Sequence, residues 1–210
     1  MADMSAIATA VKDGRRKIVE QLVKEALEEG AKPEAILNEG LVVGMTELGE
    51  MFKNGEVYVP EVLVAARAMK AGTTILKPLL MDANVTSLGT VAIGTVEGDL
   101  HDIGKNLVGM MLEGTGFTVV DLGENVSPDT FVQAVRDGAQ IIGMSALLTT
   151  TMPMMATTIK ALEEAGLRDK VKVMIGGAPI TQEYADQIGA DGYSTDAASA
   201  AELAKRLICA

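Results

Sequence analysis

Cysteine, histidine and tryptophan are scarce or missing in this chain of 210 residues. It has one cysteine, one histidine, no tryptophan, and three each of phenylalanine and tyrosine. A single cysteine excludes an intrachain disulfide framework and a CxxC metal site. So few aromatic side chains disfavour a surface built to stack bases or sugars. Apolar runs also fall short of the ~18 residues that a membrane span needs, so we expect no membrane segment.

Basic residues are in short supply as well. The chain has 18 Lys and Arg against 29 Asp and Glu, for a formal net charge of −11, and most of the acidic excess follows Thr90. Because affinity for nucleic acid comes largely from cationic side chains that release counterions, we expect no nucleic-acid partner. The N-terminal residues Met1-Ala2-Asp3-Met4 lack the basic segment of a secretion signal. The cytoplasm is therefore the simplest expected location.

The chain does have ample apolar content, at 48%, and it is arranged with two different periods. Up to about Asp82, apolar residues recur at spacings of three and four, which is typical of amphipathic helices. Breaks at Gly30, at Asn54-Gly55 and before Pro60 divide this part into long helices, and a shorter helix can precede them. The pattern predicts a small antiparallel helical bundle over residues 1–86.

From residue 87 to residue 210, β-rich apolar runs alternate with helical stretches. Repeated units of this kind predict an α/β domain with a Rossmann-like, doubly wound parallel sheet. Ligands of such sheets bind at the carboxyl ends of the strands, so the loops after Val96, Leu147 and Ile175 should carry the chemistry. The predicted strands are Thr90–Val96, Thr118–Leu122, Ile141–Leu147, Val171–Ile175 and Gly192–Thr195.

The loop after the first predicted strand contains the only histidine of the chain, His101. A neutral imidazole is a good metal donor, and the carboxylate of Asp99 is placed to hydrogen-bond its other ring nitrogen. Gly104 would let the chain turn tightly into the next helix. A lone histidine is more often merely solvated, and D-x-H-x-x-G arises by chance in about one chain in a hundred. The position of this motif at the end of a parallel strand favours a metal or cofactor site.

Two further motifs follow in order, Ser145-x-Leu147 at the end of the third predicted strand and Gly176-Gly177 after the fourth. Together with Asp99-x-His101-x-x-Gly104 they resemble the cobalamin-binding domains of methionine synthase, of B12-dependent mutases and of corrinoid proteins in one-carbon methyltransferase systems. The resemblance implies that cobalamin or a related cobamide, as methylcobalamin or cob(I)alamin, binds base-off and His-on. His101 would then be the lower axial ligand of cobalt, and Asp99 would tune its basicity.

The resemblance also implies roles for the other motif residues. Ser145 would hydrogen-bond the nucleotide tail of the cofactor, and a hydroxyl among Thr149, Thr150 and Thr151 would extend the histidine-aspartate pair. Gly176-Gly177 would leave room for the tail, although alone this pair equally fits an ordinary strand-to-helix turn. The cofactor-binding residues implied in this way are His101, Asp99, Gly98, Leu100, Asp102, Ile103, Gly104, Ser145, Leu147, Thr149, Gly176 and Gly177.

The N-terminal half extends the resemblance. Tyr58-Val59-Pro60-Glu61-Val62 and Ala65-x-x-Ala68-Met69-Lys70 resemble the helical cap over the methyl-bearing face of cobalamin in methionine synthase and its relatives. This implies a cap domain at 1–86 in front of a cobalamin-binding domain at 87–210. Tyr58, Val62 and Met69 would be candidates to shield the methyl group, although such a stripe also fits a bundle core.

The function implied by the resemblance is that of a corrinoid methyl carrier. It would shuttle a methyl group on cobalt between a substrate:corrinoid methyltransferase and a second methyltransferase, whose acceptor would be tetrahydrofolate or a thiol. The chain itself would be the non-catalytic carrier, and a reductive activator of cob(II)alamin would be a third partner. A methylamine, methanol, a methoxyaromatic or a betaine all remain open as the methyl donor.

Three alternatives also fit part of the pattern. The small cobalamin-binding subunit of an adenosylcobalamin-dependent mutase shares the motifs but generally lacks the preceding bundle. A cobalamin-sensing regulator would normally carry a DNA-binding or signalling domain. A flavodoxin-like domain with a chance motif would have to match three ordered motifs and the cap.

Overall fold

The computed structural model describes residues 3–82 and 87–209, which form two compact units. One unit lies before Ser87 and also includes Gly114–Gly116, and the other comprises Ser87–Glu113 and the chain from Phe117 onward. The first is built of helices and the second around a five-stranded sheet, which confirms the predicted fold class. The end of the predicted helical domain falls on residues 83–86, which lie outside the described residues.

The helical unit begins with the short leading helix that the sequence allows. Its first residues are capped by Asp3, whose Oδ1 accepts a hydrogen bond of 3.0 Å from the amide of Ala6. No helix within residues 3–82 and 87–209 is long and apolar enough to cross a membrane. The helices of this unit are α1 (Met4–Lys12), α2 (Arg16–Glu28), α3 (Pro33–Ala35), α4 (Val42–Lys53) and α5 (Val59–Asp82).

Between α3 and α4 the helix continues through a π-helical segment, Ile36–Leu41. Ile36 and Leu41 are five residues apart, and both are fully buried. In a regular α-helix two such residues point about 140° apart around the axis. The wider π turn, with its i to i+5 hydrogen bonds, brings both side chains to the buried side. An irregular apolar spacing in the sequence is thus matched by an irregular turn.

All neighbouring strands of the sheet are parallel, in the order β2-β1-β3-β4-β5. Its strand β2 extends four residues beyond the predicted Leu122, and β5 is shorter than predicted. The prediction that the third strand reaches Leu147 is wrong, because the amides of Leu147 and Leu148 bond to a side chain instead of a neighbouring strand. The strands are β1 (Thr90–Val96), β2 (Thr118–Val126), β3 (Ile141–Ser145), β4 (Lys172–Gly176) and β5 (Gly192–Tyr193).

Alternate residues of the central strands face two different buried layers. Ala92, Ile142 and Val173 share one core with Phe131 and Met155, which lie in two helices of this unit. Their neighbours along the strands are buried as well, so both faces of the sheet are covered, as expected for a doubly wound parallel sheet. The helices of this unit are α6 (Ile103–Gly114), α7 (Pro128–Arg136), α8 (Pro153–Glu164), α9 (Gln182–Ile188) and α10 (Ala197–Ile208).

The strand order reverses direction at β1, which lies between β2 and β3. The connection through α6 leads to β2 on one side, and the later connections lead to β3, β4 and β5 on the other. The loops after β1 and β3 therefore lie next to each other, and Thr95 near the end of β1 pairs with Ser145 of β3. Such a switch point is where open parallel sheets bind their ligands.

Candidate functional site

Asp99 is the centre of the hydrogen-bond network at this switch point. Its side chain is completely buried in the loop between β1 and α6. It accepts five hydrogen bonds, from the amide and ring of His101, the amides of Leu147 and Leu148, and the hydroxyl of Thr151. Burial alone would raise the pKa of Asp99, but the hydrogen bonds, that from Thr151 foremost, outweigh it and hold the pKa well below its usual range. Asp99 is therefore a carboxylate.

The two oxygens of Asp99 have different partners. Oδ1 accepts from the amide of His101 at 3.1 Å and from its ring Nδ1 at 2.7 Å. Oδ2 accepts from the amides of Leu147 at 2.8 Å and Leu148 at 3.2 Å, and from Thr151 Oγ1 at 2.7 Å. The carboxylate thus ties the loop after β1 to the loop after β3.

This arrangement fixes the chemistry of the His101 ring. A carboxylate can only accept hydrogen bonds, so in the neutral imidazole the proton must sit on Nδ1. The lone pair is then on Nε2, and the His101 side chain is 51% exposed. One accessible imidazole nitrogen with a buried carboxylate behind it is the usual arrangement of a histidine that binds a metal.

The turn that places Asp99 and His101 depends on Gly98. Gly98 has φ +83°, a left-handed conformation that glycine adopts without strain. The amide of Asp99 then bonds back to the carbonyl of Val96 at 3.1 Å, and Thr95 Oγ1 donates to the carbonyl of His101 at 3.0 Å. The loop is held at both ends by the strand it leaves.

The prediction that Gly104 makes the tight turn is wrong. Gly104 lies in the first turn of α6 and does not have the positive φ that requires glycine. A Cβ atom added there would have no neighbour within 4 Å. The tight turn is at Gly98, and Gly104 keeps an open surface beside the loop.

The threonines after β3 differ in how far their side chains are buried. Thr151 is buried and provides the hydroxyl that extends the histidine-aspartate pair, whereas Thr149 and Thr150 are exposed. Leu147 contacts Asp99 through its backbone amide and leaves its side chain 43% exposed. Ser145, the last residue of β3, is half-buried at the same edge of the sheet.

The two glycines after β4 differ in what surrounds them. A Cβ atom at Gly177, whose φ is +134°, would lie 1.8 Å from the carbonyl oxygen of Ala146. A Cβ atom at Gly176 would meet only the carbonyl oxygen of Ser194, at 3.6 Å. Gly177 is therefore required by the close approach of the loop after β3, while Gly176 leaves free space beside the sheet.

Large apolar side chains are exposed in both loops of the site. Exposed groups of this kind at the carboxyl edge of a sheet are typical of a surface that binds an apolar ligand. Their exposed fractions are Leu100 64%, Ile103 78%, Leu147 43% and Leu148 40%. The site thus combines a free imidazole nitrogen, exposed apolar side chains and open space at Gly176. This combination fits a broad metal-bearing macrocycle with a tail.

A second polar network joins α6 to β2. Lys105 is 2% exposed, and its ammonium donates to Asp121 Oδ1 at 2.5 Å and to Asn106 Oδ1 at 2.8 Å. Asn106 in turn donates to Asp102 Oδ2 at 2.8 Å. Burial opposes the ionisation of Asp121, but its bonds to Lys105 and Gly123 prevail and lower its pKa. Asp102, next to His101, is thereby linked to the sheet.

Asn125 belongs to the site although none of the motifs includes it. Its Oδ1 accepts a hydrogen bond of 2.7 Å from the amide of Gly98, and its amide donates to the carbonyl of Asp99 at 3.0 Å. The sequence signal for it is weak, since Gly123 and Asn125 are turn-forming residues just after a predicted strand. Thr95 and Leu148 are likewise outside the motifs.

The candidate cap residues lie in the helical unit. Tyr58 is 68% exposed, whereas Val62 and Met69 are buried, at 0% and 4%. Burial is what a bundle core requires, so only Tyr58 of these three has a free side-chain surface.

Comparisons with known proteins show the family to which the chain belongs. Residues 89–202 match the B12 binding domain family, and residues 5–77 match a second family with the same description. The chain is 45% identical to a trimethylamine corrinoid protein of Methanosarcina barkeri over 93% of this chain and 92% of that protein. It resembles the crystal structure of a cobalamin-binding protein from Desulfitobacterium hafniense DCB-2 with a TM-score of 0.83, 32% identity and 99% coverage of both chains. It also resembles a chain of the methanol:cobalamin methyltransferase complex MtaBC from M. barkeri with a TM-score of 0.85 and 31% identity, over 98% of this chain and 79% of that one.

Proposed function

Because the chain belongs to the B12-binding corrinoid proteins of methyltransferase systems, we propose that it is a methyl carrier that holds its cobamide through His101. The observation that carries this proposal is the buried Asp99 carboxylate, 2.7 Å from Nδ1 of a half-exposed imidazole. When bound, the cobalt supplies the atom on which the methyl group is carried.

In the proposed complex each residue has a defined task. Asp99 retains the proton on His101 Nδ1 and would so leave Nε2 free to bind the cobalt. Leu100 and Ile103 would offer apolar contact to the corrin and exclude water from the ligand. Gly176 leaves the free space into which the nucleotide tail would descend.

The helical unit has the complementary task in this proposal. We propose that it also takes part in binding the cobamide. Two observations support this: residues 5–77 match a B12 binding domain family, and Tyr58 is exposed at the start of α5.

We propose two methyltransferases as partners, one that loads the carrier and one that unloads it, with a reductive activator of oxidised cobalt as a third. The similarity to the MtaBC complex supports a loading methyltransferase as a partner. A methylated amine is the proposed methyl donor, because the chain is 45% identical to the trimethylamine corrinoid protein over 93% of its length. Tetrahydrofolate or a thiol is proposed as the acceptor.

The ligand assignment can be tested without ambiguity because the chain has one histidine. Protein reconstituted with cobalamin and reduced to the cob(II) state should give an electron paramagnetic resonance spectrum with nitrogen superhyperfine splitting. Growth on ¹⁵N-histidine should change that splitting from triplets to doublets, and His101→Ala should abolish the part of the splitting that responds to the isotope. A splitting in the wild-type protein that does not respond to the isotope would refute His101 as the ligand, because it would come from the benzimidazole of the cofactor or from another group.

The carrier function needs a separate test. Reduced holoprotein is mixed with a trimethylamine:corrinoid methyltransferase and trimethylamine, and methylation is followed by the absorbance change of the corrinoid. Wild-type protein should be methylated with enzyme and donor both present and not with either omitted. Tight binding of adenosylcobalamin, with no methylation by enzymes for methylated amines, methanol or methoxyaromatics, would instead favour the mutase-subunit alternative.

A further inference from the structure

The position of His101 depends on the backbone of the short loop 97–102, which carries it between β1 and α6. A ligand histidine is useful only if its loop returns to the same place after each exchange at the metal. Thr95 holds the carbonyl of His101 from the strand side. The amide of Gly98 and the carbonyl of Asp99 need partners from elsewhere, and both partners come from a single residue of β2, Asn125.

Asn125 contacts this loop twice, once with its side chain and once with its backbone. Its Oδ1 accepts from the amide of Gly98 at 2.7 Å, and its amide donates to the carbonyl of Asp99 at 3.0 Å. The two bonds hold the peptide unit that precedes Gly98 and the one that follows Asp99, and so restrain the Asp99 Cα atom between them. A shift of that Cα atom would carry the carboxylate away from His101 Nδ1 and from the amides of Leu147 and Leu148.

The backbone of Asn125 is unusual in a way that serves these contacts. Among the residues that the structure describes, it is the one non-glycine residue with a positive φ, at +54°. Asparagine tolerates this left-handed conformation better than most residues, whereas a side chain with a branched Cβ would be strained there. Asn125 is also exposed, so packing does not explain the choice of residue.

Irregular pairing of β2 with β1 brings Asn125 to the loop. Ile93 pairs with Asp121, but Gly94 pairs with Gly123 and Val96 with Val126, so β2 contains an extra residue at each of these two steps. Bulges of this kind bend a strand and redirect side chains, and they are common beside functional sites. Without the second bulge, the residue opposite the end of β1 would be in a different register and Asn125 would not lie beside Gly98.

We propose that Asn125 is a positioning residue for cobalt ligation, which acts by fixing the backbone of Gly98 and Asp99 and through them the His101 imidazole. The inference deepens the proposed function and rests on it. It assigns to the end of β2 a role in the ligand geometry that none of the three motifs contains.

Three substitutions and one neighbour test the proposal. Asn125→Gly keeps the left-handed backbone and the amide bond to Asp99 but removes the acceptor for Gly98. Asn125→Asp keeps an acceptor oxygen and serves as the conservative rescue, and Asn125→Ala adds backbone strain. Glu124→Ala, at the exposed adjacent residue, is the control.

The measurements are the dissociation constant for cobalamin and the fraction of cob(II) protein with histidine nitrogen splitting. We expect Asn125→Gly to bind cobalamin about tenfold more weakly, since partners that orient a metal ligand typically contribute ten- to a hundredfold. We also expect it to lose part of the His-on signal. Asn125→Asp and Glu124→Ala should match the wild type, and the thermal unfolding of cobamide-free Asn125→Gly should stay close to wild type.

The possible outcomes separate this inference from the proposed function. Wild-type protein without histidine splitting would overturn the ligand assignment, and the role of Asn125 with it. If the wild type shows the histidine splitting and neither Asn125→Gly nor Asn125→Ala lowers the His-on fraction, the inference alone is overturned. Equal loss of signal in Asn125→Asp and Asn125→Gly would do the same, because the acceptor oxygen would then be irrelevant. If Asn125→Gly fails to fold, Asn125→Asp is compared with Asn125→Ala, since both keep a Cβ atom in the left-handed conformation and only the aspartate keeps the acceptor oxygen.

Discussion

Thr151 and Asp99 are 52 positions apart in the chain, and the Thr151 hydroxyl lies 2.7 Å from Asp99 Oδ2. Both side chains are buried. The bond joins the end of β1 to the loop before α8, across the gap between two neighbouring strands. It also restrains the carboxylate whose other oxygen holds His101, so its loss should be felt in both stability and cofactor ligation.

Thr151→Val should therefore lower the free energy of unfolding. Valine has nearly the shape of threonine but leaves a buried carboxylate oxygen with one donor fewer, which costs about 1 to 3 kcal/mol. Thr151→Ser keeps the hydroxyl and should cost less than Thr151→Val. Urea unfolding of the cobamide-free protein measures both, and equal stability of valine and serine variants would contradict the assigned bond.

Replacing Asp121 should lower the free energy of unfolding more than replacing its partner Lys105. Asp121→Asn leaves an almost fully buried ammonium without its counter-charge, which should cost about 3 kcal/mol. Lys105→Met leaves a carboxylate that is 54% exposed and can be hydrated, so its cost should be about 1 kcal/mol. Chemical unfolding of the single variants and of the double variant measures this asymmetry. A larger cost for Lys105→Met than for Asp121→Asn would contradict it.

Gly177→Ala should destabilise the α/β unit strongly. Its methyl group would overlap the carbonyl of Ala146 in a backbone conformation that alanine rarely adopts, at a cost of about 3 kcal/mol or more. Thermal or urea unfolding measures the change, with Gly166→Ala as control. Gly166 also has a positive φ, at +66°, but nothing lies within 4 Å of an added Cβ atom, so it reports strain without overlap.

Gly176→Ala should leave stability nearly unchanged and affect only ligands with a nucleotide tail. The added methyl group fits the cobamide-free protein but occupies the space proposed for the tail. We expect cobalamin to bind about tenfold more weakly, since overpacking costs on the order of 1 to 3 kcal/mol. Binding of cobinamide, which lacks the tail, should not change. Equal weakening for both corrinoids would place the tail elsewhere.

Asp196 should make stability depend on pH through the start of α10. Burial opposes its ionisation, but bonds from Ser199 and Thr195 prevail and lower its pKa. A carboxyl group with a lowered folded pKa stabilises the fold above its unfolded pKa of about 3.9 and loses that contribution as the pH falls further. Asp196→Ser keeps a helix cap that does not titrate. The difference in unfolding free energy between wild type and Asp196→Ser should shrink from pH 7 to pH 3, and a constant difference would contradict the prediction.

The regular parts of the fold follow from the sequence because their causes are local and periodic. The strand Thr90–Val96 is predicted with its observed bounds, since a continuous β-branched apolar run is buried on both faces of a parallel sheet. The third strand is predicted two residues too long because Ala146 and Leu147 are as apolar as the residues before them. What ends that strand is the carboxylate of Asp99, which lies far away in sequence.

The sequence predicts the main side-chain contact of the site but gives no signal for the contacts that the backbone makes. The partnership of His101 and Asp99 follows from residue type and spacing, and the structure has the predicted contact at 2.7 Å. The amides of Leu147 and Leu148 have no signature, since every residue except proline has one. The role of Asn125 depends on bulges in β2, which arise from pairing between strands and leave little trace in the sequence.

The π-helical segment between α3 and α4 bears on how this chain can change in length. Residues Ile36 and Leu41 reach the same buried side only because the wider turn absorbs one residue more than a regular helix needs. Deletion of one residue between them would restore the spacing of four that an α-helix accommodates on one face. A similar deletion within α2, where Val19, Val23 and Ala26 form a regular stripe, would rotate every later side chain away from the core. The helical unit thus contains a position where one residue can be deleted while the apolar side chains of the helix still face the core.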